Sequence, residues 1–167
     1  NGMQSNKKTR TIFATILGLF LLSHGTGTAT AQNSDSLPGT QTLNTSHSYQ
    51  DLIKRFDRAV KKNKMGLVTR ASATLGAKRV LKKTIPGNMV IGIYHPRFAV
   101  RMLEASIPAG IEAPLRFYIT ENADKTANLT YRKPTSVFAP YGSAKLDAMA
   151  KELDGIFAAI ARDATAR

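Results

Sequence analysis

The chain reads as one small α+β domain, with helices packed on a mixed, largely antiparallel sheet, set behind an amino-terminal export signal. Three observations predict this. Two segments near the carboxyl end alternate apolar and polar residues across a polar turn, four others carry apolar residues at helical spacing, and 167 residues with 43% apolar content fit one core.

The hairpin is the plainest element. Leu115, Phe117 and Ile119 alternate with Arg116, Tyr118 and Thr120, and beyond Asn122–Lys125 the residues Ala127, Leu129 and Tyr131 alternate with Asn128, Thr130 and Arg132. That period of two marks paired antiparallel strands. Helices bracket the hairpin. Ser48 is placed to cap a first helix, with Asp51 near its positive end and Leu52, Phe56, Ala59 and Val60 on one side, ending near Lys64. Gly66 opens an extended stretch over 67–73. Leu75, Val80 and Leu81 among Lys78, Arg79, Lys82 and Lys83 then predict a short second helix, stopped by Ile85-Pro86-Gly87. Met89–Tyr94 is apolar at successive positions, as an inner strand is, and Gly92 within it permits close backbone approach. Pro96 suits the first turn of a helix whose apolar side is Phe98, Met102 and Leu103. A loop follows with Pro108, Gly110 and Pro114, and a second loop carries Pro134, Pro140 and Gly142. Ser143 caps the last helix, with a stripe of Leu146, Met149, Ala150, Leu153, Phe157 and Ile160.

Ahead of this domain, Lys7, Lys8 and Arg10 precede an apolar run at 12–22, and small residues end at Ala29-Thr30-Ala31. These are the three parts of a secretory signal, with Met3 as the natural start and cleavage after Ala31. The run is about half the ~20 residues that a bilayer-spanning helix needs, so a permanent membrane span is not expected. With no Arg-Arg pair, general secretion to the periplasm or exterior is the expected route. Residues 32–47 are rich in Ser, Thr, Asn and Gly and read as a flexible linker, whose end at 40–46 can form an edge strand. The domain is placed at 48–163.

The net charge of +13 falls to +10 once the first 31 residues go, because they hold three bases and no acid. The domain itself is therefore basic, and Lys54, Arg58, Lys61 and Lys62 fall along the polar side of the first helix. Without interleaved aromatic residues, that face is expected to give only non-specific, salt-sensitive contact with polyanions. The absence of cysteine excludes disulfides, a lipoprotein anchor, thiolate metal sites and covalent c-type haem. No nucleotide-binding glycine fingerprint, zinc spacing, G-x-S-x-G or H-E-x-x-H is present.

Gly66-Leu-Val68, the strand Val90-Ile-Gly-Ile-Tyr-His-Pro96, the segment Met102-Leu-Glu-Ala105 and Ala113–Glu121 together resemble the domain-of-unknown-function family numbered 302 over about 42–161. The resemblance implies a sheet with helices on one side, similar to the TATA-binding-protein-like fold class, and a homodimer. Many members of that family carry Asn before the proline matching Pro96, Cys after the one matching Pro114 and Asp before the one matching Pro134. This chain has His95, Leu115 and Lys133 there.

Three residues are singled out for ligand binding. His95 ends an apolar strand just before a helix, where ligands are often presented, and an imidazole there can exchange a proton or ligate an iron near neutral pH. A helix-capping role is the structural alternative. Tyr94 stands beside it, and Glu121 at the end of the first hairpin strand is a candidate to orient the imidazole. Tyr118 and Phe117 are candidates for a pocket wall or for core. His47, in or next to the linker, is expected to face solvent. No metal site is expected. The expected function is a non-catalytic, exported module holding a small apolar or haem-like ligand or a protein partner. The alternative is a small-substrate enzyme using His95 and a carboxylate in acid–base chemistry. Amino-terminal mass analysis of the exported protein is expected to find Gln32 as its first residue, and an intact 7–22 segment in the membrane fraction would contradict the cleavage.

Overall fold

A sheet of five strands, all pairs antiparallel, runs in the order β1-β5-β4-β3-β2 in the computed structural model, which describes residues 37–167. The strands are β1 (Thr40–Ser48), β2 (Gly66–Ala71), β3 (Asn88–Tyr94), β4 (Leu115–Glu121) and β5 (Thr126–Arg132). The helices are α1 (Tyr49–Lys62), α2 (Ala73–Gly76, continued by a π turn to Leu81), α3 (Pro96–Ala105), α4 (Pro134–Phe138) and α5 (Ala144–Thr165). The α+β class predicted from the sequence is therefore observed, with the sheet wholly antiparallel among the described residues. The expected signal and cleavage point lie outside those residues. No helix within them is long and apolar enough to cross a membrane.

Strand β1 adds at one edge beside β5, and β2 forms the other edge. Residues 40–47, assigned above to the linker with an edge strand as an option, belong to the sheet, so the domain begins about eight residues earlier than drawn. Polar composition misled there because an edge strand buries few side chains: only every second residue of β1 is even partly covered.

From β1 the chain crosses the whole sheet through α1 to reach β2. The Ser48 hydroxyl accepts the Asp51 N–H at 3.2 Å, and Leu52, Phe56, Ala59 and Val60 are buried. Helix α5 lies against α1 and keeps the predicted stripe, with its own Ser143 cap on the Leu146 N–H. Both cover one face of the sheet. At its centre the Phe117 ring stands 4.8 Å from Phe56, 4.7 Å from Phe157 and 5.1 Å from Tyr131. Ring pairs at those separations add directional attraction to the burial of three fully inaccessible phenylalanines.

Two helical expectations shift. Leu75, Val80 and Leu81 of the second helix are 61%, 73% and 67% exposed, so its apolar residues face out of the core. In α3, Phe98, Ala99 and Met102 are buried while Leu103 lies outward at 43% exposure. The proline-rich segment 134–142 holds α4 and a short 3-10 turn in place of a plain loop. Its start is fixed by α5: the Asp154 carboxylate accepts the Thr135 backbone N–H at 3.0 Å and hydroxyl at 2.7 Å.

Replacing Phe117 by Ala removes the ring that three others touch. Chemical denaturation is expected to show a loss of about 3–5 kcal/mol.

Candidate functional site

His95 sits where β3 becomes α3, and its local role is set by the proline that follows. Pro96 has no N–H to offer, so the nearest unsatisfied donor of the first turn is the Arg97 N–H, which donates to His95 Nδ1 at 3.1 Å. The imidazole is thus a helix cap. It occupies the position where the family resemblance puts Asn, which caps helices by the same bond. Beside it lies an apolar crevice of about 30 Å³ among Met65, Ile93, Phe98, Met102, Leu115, Phe138, Met149, Leu153 and Phe157, with Tyr94 and His95 at its edge. That volume is about one water molecule's share of the liquid. A haem does not fit it.

Glu121 is not near His95. Asn88 pairs with Thr120 and Ile93 with Leu115, so Glu121 stands level with Gly87, before β3 begins, and His95 follows its end. Eight residues of extended chain separate the two levels, about 26 Å. The expected approach of this carboxylate to the imidazole is overturned by the antiparallel register. Glu121 instead ties the strands together: its carboxylate accepts the Gly87 N–H at 2.9 Å, its own N–H donates to Gly87 O at 2.7 Å, and Lys125 stands 3.4 Å away. The Gly87 bond first, then Lys125, holds its carboxyl below the ordinary value. His47 also departs from expectation. Its side chain is only 11% exposed, with Nε2 2.7 Å from Ala166 O and Nδ1 3.5 Å from Asp51, so it docks the end of α5 to β1.

The other face of the sheet is different in kind. Strand parity sends Val90, Gly92, Arg116, Tyr118, Thr120, Asn128, Thr130, Arg132 and Thr42 away from the helices. Among the described residues no second layer covers them; Tyr118 is 40% exposed, and Arg116 and Arg132 are exposed. Toward β2, Thr69 and Pro114 cover Gly92, with Pro114 Cγ 2.7 Å from the position of a Cβ, and an open hollow of about 440 Å³ lies among Thr69, Ala71, Val90, Pro114 and Arg116. Between that cover and α4 lies a second hollow of about 220 Å³, floored by Val90, Tyr118 and Thr130 and rimmed by Arg116, Arg132, Glu112 and Val137. The Tyr141 hydroxyl donates to Glu112 at 2.9 Å, which raises the tyrosine's own pKa and fixes the glutamate at the rim.

Phe117 faces Tyr131 across β4 and β5, so Arg116 and Arg132, one residue further out, stand opposite each other. Neither guanidinium has an ion pair or a side-chain hydrogen bond among the described residues. Sequence reasoning passed over both. The alternation showed that they share a face with Tyr118, and only the register across the turn shows that they meet.

The site thus belongs to a small α+β domain with a one-sided antiparallel sheet, a fold that presents a framed polar face. Residues 41–162 match the family described as "Domain of unknown function DUF302", and the chain belongs to that family. A solved structure, the uncharacterized conserved protein DUF302 from Bacillus stearothermophilus, is similar at a TM-score of 0.70 and 17% identity. It covers 77% of this chain and 99% of its own. No curated protein matches.

His95→Asn should leave the α3 cap and the unfolding free energy nearly unchanged, whereas His95→Ala should lose about 1 kcal/mol in urea denaturation. Equal losses from the two would mean that the imidazole does something other than cap.

Proposed function

We propose that the chain is an exported, non-catalytic module that binds one small ligand on the uncovered face of its sheet. The observation that carries this reading is the 220 Å³ hollow framed by Val90, Tyr118, Arg116 and Arg132. Sheet, 3-10 turn and α4 form its walls, and α4 is itself locked to α5 through Asp154. A hollow on regular elements holds its shape before a ligand arrives, which reduces the ordering cost of binding.

The acid–base alternative is less well supported, because its imidazole is engaged in a cap and its carboxylate is at the opposite end of β3. Export is supported by the basic, apolar and small-residue order at 7–31. A homodimer is supported by the family resemblance and by Val68, Leu75, Val80 and Leu81, apolar residues left exposed on and just after the edge strand β2. Contact with polyanions stays non-specific in this reading, since Lys54, Arg58 and Lys61 project from α1 and the aromatic residue among them, Phe56, is buried in the core.

Native mass spectrometry of the protein recovered from its own compartment reads ligand and subunit number together. The expected result is a small-molecule adduct whose occupancy falls in Tyr118→Ala. An adduct that persists unchanged when Tyr118 and Val90 are both altered would place the ligand elsewhere.

A further inference from the structure

Arg116 and Arg132 present a problem for folding that the ligand-free chain does not solve. They occupy directly opposed positions on neighbouring strands, where side chains start about 5 Å apart and like charges destabilise the pair. Several basic residues of this domain are paired with a carboxylate: Arg55 with Asp51, Arg70 with Asp57, Arg101 with Glu152 and Lys62 with Asp163. The two opposed arginines have no such partner. A local conflict of this kind, kept in a sequence that is consistent elsewhere, is characteristic of functional positions.

We propose that Arg116 and Arg132 form a two-guanidinium clamp for the carboxylate of a small aromatic acid whose ring lies along Val90 and Tyr118. This deepens the reading above and rests on it. The guanidinium is the side chain best matched to a carboxylate, because its planar fork donates two parallel N–H bonds to the two oxygens. One carboxylate between two forks also removes their repulsion. Glu112 on the rim, held by Tyr141, sets the charge at two positive groups against one negative, which suits a single anionic head and disfavours a second.

Size points the same way. An apolar cavity of about 150 Å³ accommodates benzene, so the 220 Å³ here has room for one ring and its acid group. Val90 and Val137 supply apolar contact and the Tyr118 ring a stacking surface, while Thr130, bonded at 2.9 Å to Thr42 on β1, leaves a polar edge. A nucleic-acid strand would need successive aromatic platforms, and Tyr118 is the one ring of this face that lines the hollow; Tyr94 shares the face by strand parity but stands outside the hollow, beyond Gly92.

The test is isothermal titration of the protein with benzoate, the uncharged benzyl alcohol, inorganic phosphate and a single-stranded oligonucleotide. Benzoate is expected to bind at one site per chain. Arg116→Gln and Arg132→Gln should each weaken it about tenfold or more, as should replacing the acid by the alcohol. Because both arginines are exposed, these variants keep the fold, and each should raise the melting temperature of the ligand-free protein by relieving the repulsion. Benzoate binding that ignores both substitutions overturns the clamp, as does no benzoate binding at all. Arginine-dependent binding of phosphate or oligonucleotide with none of benzoate overturns the ligand class. If the adduct in the recovery experiment still depends on Tyr118, the broader reading stands while the clamp fails; if it does not, both fall.

Discussion

The structure depends on one constraint: its sheet buries a single face. Side chains in a strand alternate between faces, so every apolar residue that β3, β4 and β5 send to the helices fixes a neighbour on the other side. Phe117 between Phe56, Phe157 and Tyr131 is the centre of the buried side. Because α1 must carry the chain from the β1 edge to the β2 edge, it lies across the middle strands, and α5 packs against it. Helices that pass there are committed to one layer. The opposite face receives only the flanking turns.

What that face holds follows from register. A slip of one residue between β4 and β5 would turn either Phe117 or Tyr131 to the opposite face, so burial of both rings holds the pairing that sets Arg116 against Arg132. The clamp geometry is thus enforced from the far side of the sheet. Gly92 contributes by absence: any side chain there would meet Thr69 and Pro114, which approach the strand closely. Asp154 contributes from the core side, since its two bonds to Thr135 set the helix that carries Val137 to the rim.

Residue chemistry and residue placement gave different answers for the polar side chains. A histidine after an apolar strand has the right chemistry for a site, yet the proline behind it leaves an N–H that the imidazole satisfies. A glutamate at the end of a neighbouring strand has the right chemistry to orient that histidine, yet antiparallel pairing puts it beside Gly87. Leu115 lines the apolar crevice under His95. The arginines that do meet were unremarkable one at a time, since a basic residue alternating with apolar ones is what a solvated strand face contains.

By itself the sequence determined the class of fold, the hairpin, the capped helices α1 and α5 with their buried stripes, and the inner position of β3. These are local: a period of two or of 3.6, a serine ahead of a helix and a glycine or proline at a break are written in neighbouring residues. The order of basic, apolar and small residues at 7–31, on which the proposal of export rests, is likewise a local pattern. Only the tertiary structure decided that 40–47 joins the sheet, that the apolar residues of α2 face outward, that His95 and Glu121 lie apart and that Arg116 and Arg132 lie together. Those facts depend on which strands pair and in what register, and pairing is selected by the summed burial of residues far apart in the chain, which no short window contains.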